Sequence, residues 1–178
     1  VAEYRLIGYE NRLLKREDFT NDKVDAGDIG AGHTVTALYE IALHDSGGEK
    51  IPARRYGSND SSRVINKGKE LAFVKLRYKP TEGNASLEMS KPILGKAIQG
   101  TFSKASNNLK FASAVAGFAQ ILQGGEYTGD WGYDAALTLA RESRGNDPHG
   151  YRAELVTLVE LAHSLDQGQI AENEIVSK

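Results

Sequence analysis

The sequence predicts an α+β fold, with an N-terminal antiparallel β-sheet or sandwich-like part followed by a C-terminal three-helix group packed on it. Two patterns carry this expectation. Apolar and polar residues alternate over 33–44 and 70–79, the period of two that a half-buried strand needs, and from about Ser106 the apolar residues recur every three or four positions, the period of a helix. Strands first and helices after is the α+β order. Size adds a third: 178 residues, 40% hydrophobic and 26% charged, are enough for a packed core without a disulfide or metal staple. The expected division is a strand-rich part over 1–104, with long loops at 15–32 and 45–69, then a three-helix part over 105–168 and a polar tail over 169–178, together one structural unit.

Taken in chain order, residues 4–9 are short, aromatic and branched, a strand composition. Over 33–44, Val35, Ala37, Tyr39, Ile41 and Leu43 alternate with Thr34, Thr36, Glu40 and His44. Over 70–79, Ala72, Val74, Leu76 and Tyr78 share one face, while Lys75, Arg77 and Lys79 take a wet one. A weaker strand at 85–89 follows the Pro80–Gly83 turn signal. In the first helix Phe111, Val115, Phe118 and Leu122 form one stripe, and Gly124 and Gly125 stop it. The second carries Tyr133, Ala136, Leu137 and Ala140 behind Asp130 as N-cap, and closes near Gly145. The third has Asp147 as cap and Pro148 in the first turn. Its apolar face is Tyr151, Leu155, Leu158, Val159, Ala162 and Leu165, and Gly168 is its end.

Composition excludes several classes. A formal net charge of -2 argues against a nucleic-acid module, which needs a basic surface. The absence of Cys removes thiolate zinc sites, disulfides and cysteine nucleophiles. No apolar run reaches the roughly 20 residues that span a bilayer. The opening Val1-Ala2-Glu3-Tyr4-Arg5, with no Met and no apolar leader, reads as part of something longer.

Candidate chemistry is sparse. His33, His44, His149 and His163 never pair at the four-residue spacing that sets two imidazoles on one helix face. Asp22, Asp25 and Asp28 recur every third residue in a Gly-containing loop, without the every-second alternation and closing Glu of a calcium loop. The Gly27–Gly32 run precedes a strand rather than following one, and Asp28 would repel a phosphate. No Gly-x-Ser-x-Gly or Ser-x-x-Lys arrangement occurs. The expectation is therefore no catalytic residue, no metal ligand and no cofactor. Residues 126–133 concentrate Tyr127, Trp131 and Tyr133 in a Gly-rich turn, residue types that anchor interfaces when exposed and join helices to a core when buried. Arg54, Arg55, Tyr56, Lys67 and Lys69 read as a solvated basic loop.

The phrases Tyr4-Arg5-Leu6-Ile7-Gly8-Tyr9-Glu10-Asn11-Arg12 and 19–40 (FTNDKVDAGDIGAGHTVTALYE) resemble the C-terminal domain of bacterial proteins with a von Willebrand factor type A domain immediately upstream. The likeness continues through Leu71-Ala72-Phe73-Val74-Lys75-Leu76-Arg77-Tyr78 and Gly129-Asp130-Trp131-Gly132-Tyr133. That domain has no assigned activity. The resemblance implies a larger exported polypeptide of the cell envelope or periplasm, its targeting signal upstream. The Asp-x-Ser-x-Ser metal signature of the type A domain is absent from this chain, so no metal residue carries over. The expected function is a non-enzymatic accessory and interaction domain. Its partners would be the upstream type A domain and other envelope proteins, and its binding residues Tyr127, Trp131, Tyr133, Asp22, Asp25 and Asp28. The alternative is a hydrolase or ligand-binding domain using the acidic Gly-rich loop from Asp25 to His33.

Overall fold

A computed structural model describes residues 1–9, 11, 13–24, 27–43, 46–48, 50, 70–83, 85–98 and 100–176, with backbone alone from 169. It falls into two compact units, Val1–Ile98 and Gln99–Lys178.

Among the described residues the first unit holds four strands in two separate antiparallel ladders. β1 (Glu3–Ile7) pairs with β2 (Leu38–Ala42), and β3 (Glu70–Tyr78) with β4 (Leu87–Leu94). The expected strand over 33–44 is ladder-bonded only from Leu38, because β1 supplies five partners and its last, Ile7, meets Leu38. His44 lies outside the described residues, as do the basic loop residues and all of 45–69 except 46–48 and 50. The candidate at 85–89 becomes the longer β4, whose partners run back along β3 as far as Glu70. The loop expected at 15–32 contains a 3-10 turn, Arg16–Thr20.

Alternation works as a strand should, with direct cross-strand partners on one face. In the first ladder Arg5 faces Glu40 and donates to it from Nε at 3.0 Å, while Tyr4, Leu6, Tyr39 and Ile41 share the opposite face. In the second, Lys75 and Arg77 lie beside Ser90 and Glu88, with Lys75 Nζ 3.2 Å from Glu88 Oε1. Val74, Leu76, Tyr78, Leu87 and Met89 are on the other side. No described residue of this unit is buried.

The second unit is helical and contains every buried side chain among the described residues. α1 (Asn107–Leu122) starts where expected: Ser106 Oγ accepts from the Leu109 N–H at 3.2 Å. Its end is the Gly pair, with the Gly125 N–H returning to the Gln120 carbonyl at 2.9 Å. α2 (Tyr133–Ser143) is capped by Gly132 rather than Asp130, because the preceding turn closes through Trp131 N–H to the Thr128 carbonyl and the helix begins beyond it. α3 (Tyr151–Val176) begins after Pro148, since Gly150 at φ +74° interrupts the helical backbone. Asp147 still serves it, accepting from the Ala153 N–H at 2.9 Å. Partial burial would raise its carboxyl pKa, but the Ala153 and Arg152 N–H groups and the Arg144 and Arg152 charges prevail and hold it below the ordinary value. Gly168 does not end α3, which continues as helix to Val176.

Phe118, Ala136 and Val159, one from each helix, form the core, with Ile121, Leu137, Leu155 and Ala162 packed around them. Ala136 and Ala140 on α2 are 0% exposed, so its neighbours approach close to its backbone.

Candidate functional site

Two groups of residues attract attention in the sequence, the aromatic turn and the acidic loop. Of the aromatic three, Trp131 and Tyr133 join the helical core and Tyr127 is exposed. The Trp131 ring lies against Gly117 of α1, where a Cβ would sit 1.6 Å from Cζ3 and 2.2 Å from Cε3. Tyr133 meets Phe118 edge-on, with ring centroids 6.2 Å apart, and stacks on His163 at 5.4 Å with planes 11° apart. His163 Nδ1 is 3.6 Å from Asp134 Oδ1, and its Nε2 is 3.3 Å from the Gln167 side-chain nitrogen. His163 thus completes a layer made by α2 and α3. Its place at the margin of the α3 apolar stripe is visible in sequence, but its partner Tyr133, 30 positions earlier, is not.

The acidic loop behaves as a strap across the polar face of β3–β4. Arg77 donates from Nη1 to the Phe19 carbonyl at 2.9 Å and from Nη2 to Asp22 Oδ1 at 2.8 Å. The Ser86 hydroxyl also donates to Asp22, and Lys79 reaches the Asp22 carbonyl. The Ser86 hydroxyl bond, joined by the Ser86 N–H and the charges of Arg77 and Lys79, holds the Asp22 carboxyl below its ordinary 3.8 against an opposing effect of partial burial. Asp25 lies outside the described residues, and Asp28 is exposed. His33 makes a 3.3 Å contact from Nδ1 to the Ala31 carbonyl of its own turn, which is closed by His33 N–H to the Gly30 carbonyl at 3.1 Å. Asp22 and His33 therefore serve different local structures, and this geometry lends nothing to the hydrolase alternative. Among the described residues no three His, Asp or Glu are grouped to hold a metal, and no helix is long and apolar enough to cross a membrane.

Acid should release the strap. A carboxyl whose folded pKa lies below its unfolded one adds stability above the unfolded value and loses it as pH falls through the folded one. Exchange of the Asn21, Val24 and Ser86 amides, taken relative to the intrinsic rate at each pH, should be steady at neutral pH and accelerate below about pH 3.8, the ordinary value for this carboxyl. The Asp22→Asn variant should show fast exchange across the whole range. Unchanged exchange down to pH 2 would rule the carboxylate out as the clasp.

Large apolar side chains are exposed on the helices, Tyr151 and Leu165 among them, and also along the strands. Tyr4 is 76% exposed, Met89 56% and Leu76 52%.

The family model described as "Uncharacterized protein YfbK, C-terminal" matches residues 1–165. The chain is also 42% identical over 164 residues to a protein of Escherichia coli (strain K12) that carries the name "Uncharacterized protein YfbK". That match covers 91% of this chain but 27% of the relative, so the chain spans about a quarter of its length. No solved structure matches.

Proposed function

Since this chain belongs to the family of YfbK C-terminal domains, we propose that it acts without catalysis, as an interaction domain within a longer polypeptide. It seats against a von Willebrand factor type A domain upstream and serves protein–protein binding or assembly at the bacterial cell envelope. One observation carries the interaction reading: among the described residues every buried side chain belongs to the helical unit, while most apolar side chains on the faces of both ladders are exposed. A two-stranded ladder is marginal in water unless a third strand or another layer covers its apolar face. Exposed apolar patches of this kind mark interaction sites.

The sequence resemblance supports the type A neighbour and the envelope location. The hydrolase alternative gains no support from the described part of its loop, where Asp28 is exposed and His33 contacts the Ala31 carbonyl of its own turn. Trp131 and Tyr133 are engaged within the core. Tyr127, 44% exposed, and the sheet faces are then the better binding candidates.

Calorimetric titration of this chain with the separately expressed upstream region, with and without magnesium, tests the proposal. Saturable heat is expected. Absence of heat from two folded samples at high concentration would overturn it, and dependence on magnesium would tie the contact to the metal site of the type A domain.

A further inference from the structure

The β3–β4 ladder has two unlike faces, and only one is available. Its polar face carries Lys75, Arg77, Ser90 and Glu88, and the strap of residues 19–22 is bound there through Arg77, Lys79 and Ser86. The opposite face is Val74, Leu76, Tyr78, Leu87 and Met89, each 46–56% exposed, with Lys91 beside Val74 as the one charged side chain in that register. Strand addition along β4 is disfavoured by Pro92, which sits opposite Phe73 and has no N–H to offer a new neighbour. The exposed apolar face is what a partner meeting this ladder face-on would cover.

We infer that this apolar face is the docking surface for the polypeptide that precedes the domain in the intact protein, and that the docking segment presents an apolar face with a carboxylate set to meet Lys91. The inference rests on the interaction-domain reading and names its surface. Two observations select that occupant. The family is a C-terminal one, and the E. coli relative has 73% of its length outside the matched stretch. A segment tethered to the domain samples the face at an effective concentration on the order of millimolar, well above that of a free partner or a second copy. The chemistry is complementary as well. A strand face of aliphatic, Met and Tyr side chains broken by a single ammonium takes another apolar layer, and the ammonium then requires an acidic group opposite it.

The chain has no Cys, so one introduced thiol reports on one position. Met89→Cys and Ser90→Cys place thiols on adjacent residues of opposite faces, and Leu87→Cys repeats the apolar-face measurement if Met89→Cys folds poorly. Each is made in the intact polypeptide, with upstream cysteines replaced by serine, and in the 178-residue chain, and reaction with a maleimide is timed. The expected result is labelling of Cys at 89 at least tenfold slower in the intact polypeptide than in the chain alone, with equal rates at 90. Equal rates at 89 would overturn the inference. So would slow labelling at 89 in both forms, which would mean that this chain or a second copy covers the face. Slowing at 90 instead would reject this face and keep an interdomain contact. No slowing at either position, alongside saturable heat in the titration, would reject the face and leave the interaction reading standing.

Discussion

Phe118→Ala is expected to destabilise the helical unit by about 3–5 kcal/mol, the range for emptying a buried aromatic site. Phe118 is 8% exposed and meets Ala136 of α2 and Val159 of α3, with the edge of Tyr133 against its ring. The neighbours cannot collapse into the vacated space. Ala136 and Ala140 are already the shortest side chains that α2 can offer, and Tyr133 is held from its other side by the His163 ring. A unit of this size loses about 4–8 °C of Tm per kcal/mol, so a fall of at least about 12 °C is expected. Trp131, the single tryptophan, packs on this core and reports its melting by fluorescence. A fall below about 4 °C would remove Phe118 from the centre of the unit.

Gly117→Ala should reverse the usual sign of a glycine replacement in a helix. Helix propensity favours Ala by about 1 kcal/mol. At this position the new methyl would overlap the Trp131 ring, with 1.6 Å to Cζ3. The ring is a rigid body tethered by the turn that ends in Trp131 N–H to the Thr128 carbonyl, so relief requires lifting it off α1. Overpacking of this kind costs about 1–3 kcal/mol. The net expectation is a lower Tm together with a red shift of Trp131 emission as the ring meets water. Gly168→Ala in α3 is the internal control, because nothing lies within 4 Å of its added Cβ. That variant should gain up to about 1 kcal/mol. Stabilisation by both changes would mean that Trp131 does not occupy the Gly117 notch.

Local signals carried the elements, and long-range choices stayed hidden. Ser106 announces α1 because a hydroxyl at that place satisfies a helical N–H within three residues. The alternation of 72–78 is likewise visible, because each strand residue reports its own face. Gly168 misleads: a glycine ends a helix only when the backbone there turns left-handed, whereas an isolated helical one is tolerated at about 1 kcal/mol. Pro148 misleads in the other direction, since Gly150 intervenes before the first turn. The candidate site was legible as residue types and not as partnerships. Asp22 looks like one of three evenly spaced carboxylates until Arg77, 55 positions later, takes its oxygen. Trp131 looks like an interface anchor until Gly117 proves to be the notch beneath it. A single sequence contains no statement of which distant residue completes a pair.

The strap also bears on the order in which the strand-rich unit assembles. Tyr78 and Leu87 are nine positions apart and close the β3–β4 ladder through a short connection, whereas Ile7 and Leu38, which close β1–β2, are separated by 31. Loop-closure entropy makes the second event costlier by about 1 kcal/mol before any other term enters. Asp22 lies midway along that longer connection and binds a side chain of the ladder that closes more easily. The Arg77–Asp22 contact spans 55 positions, a longer closure than either ladder needs, so the strap is expected to dock after the ladders have formed. A contact made that late holds the finished molecule without speeding its formation, so its loss should hasten opening of the strap and leave the rate of ladder formation unchanged.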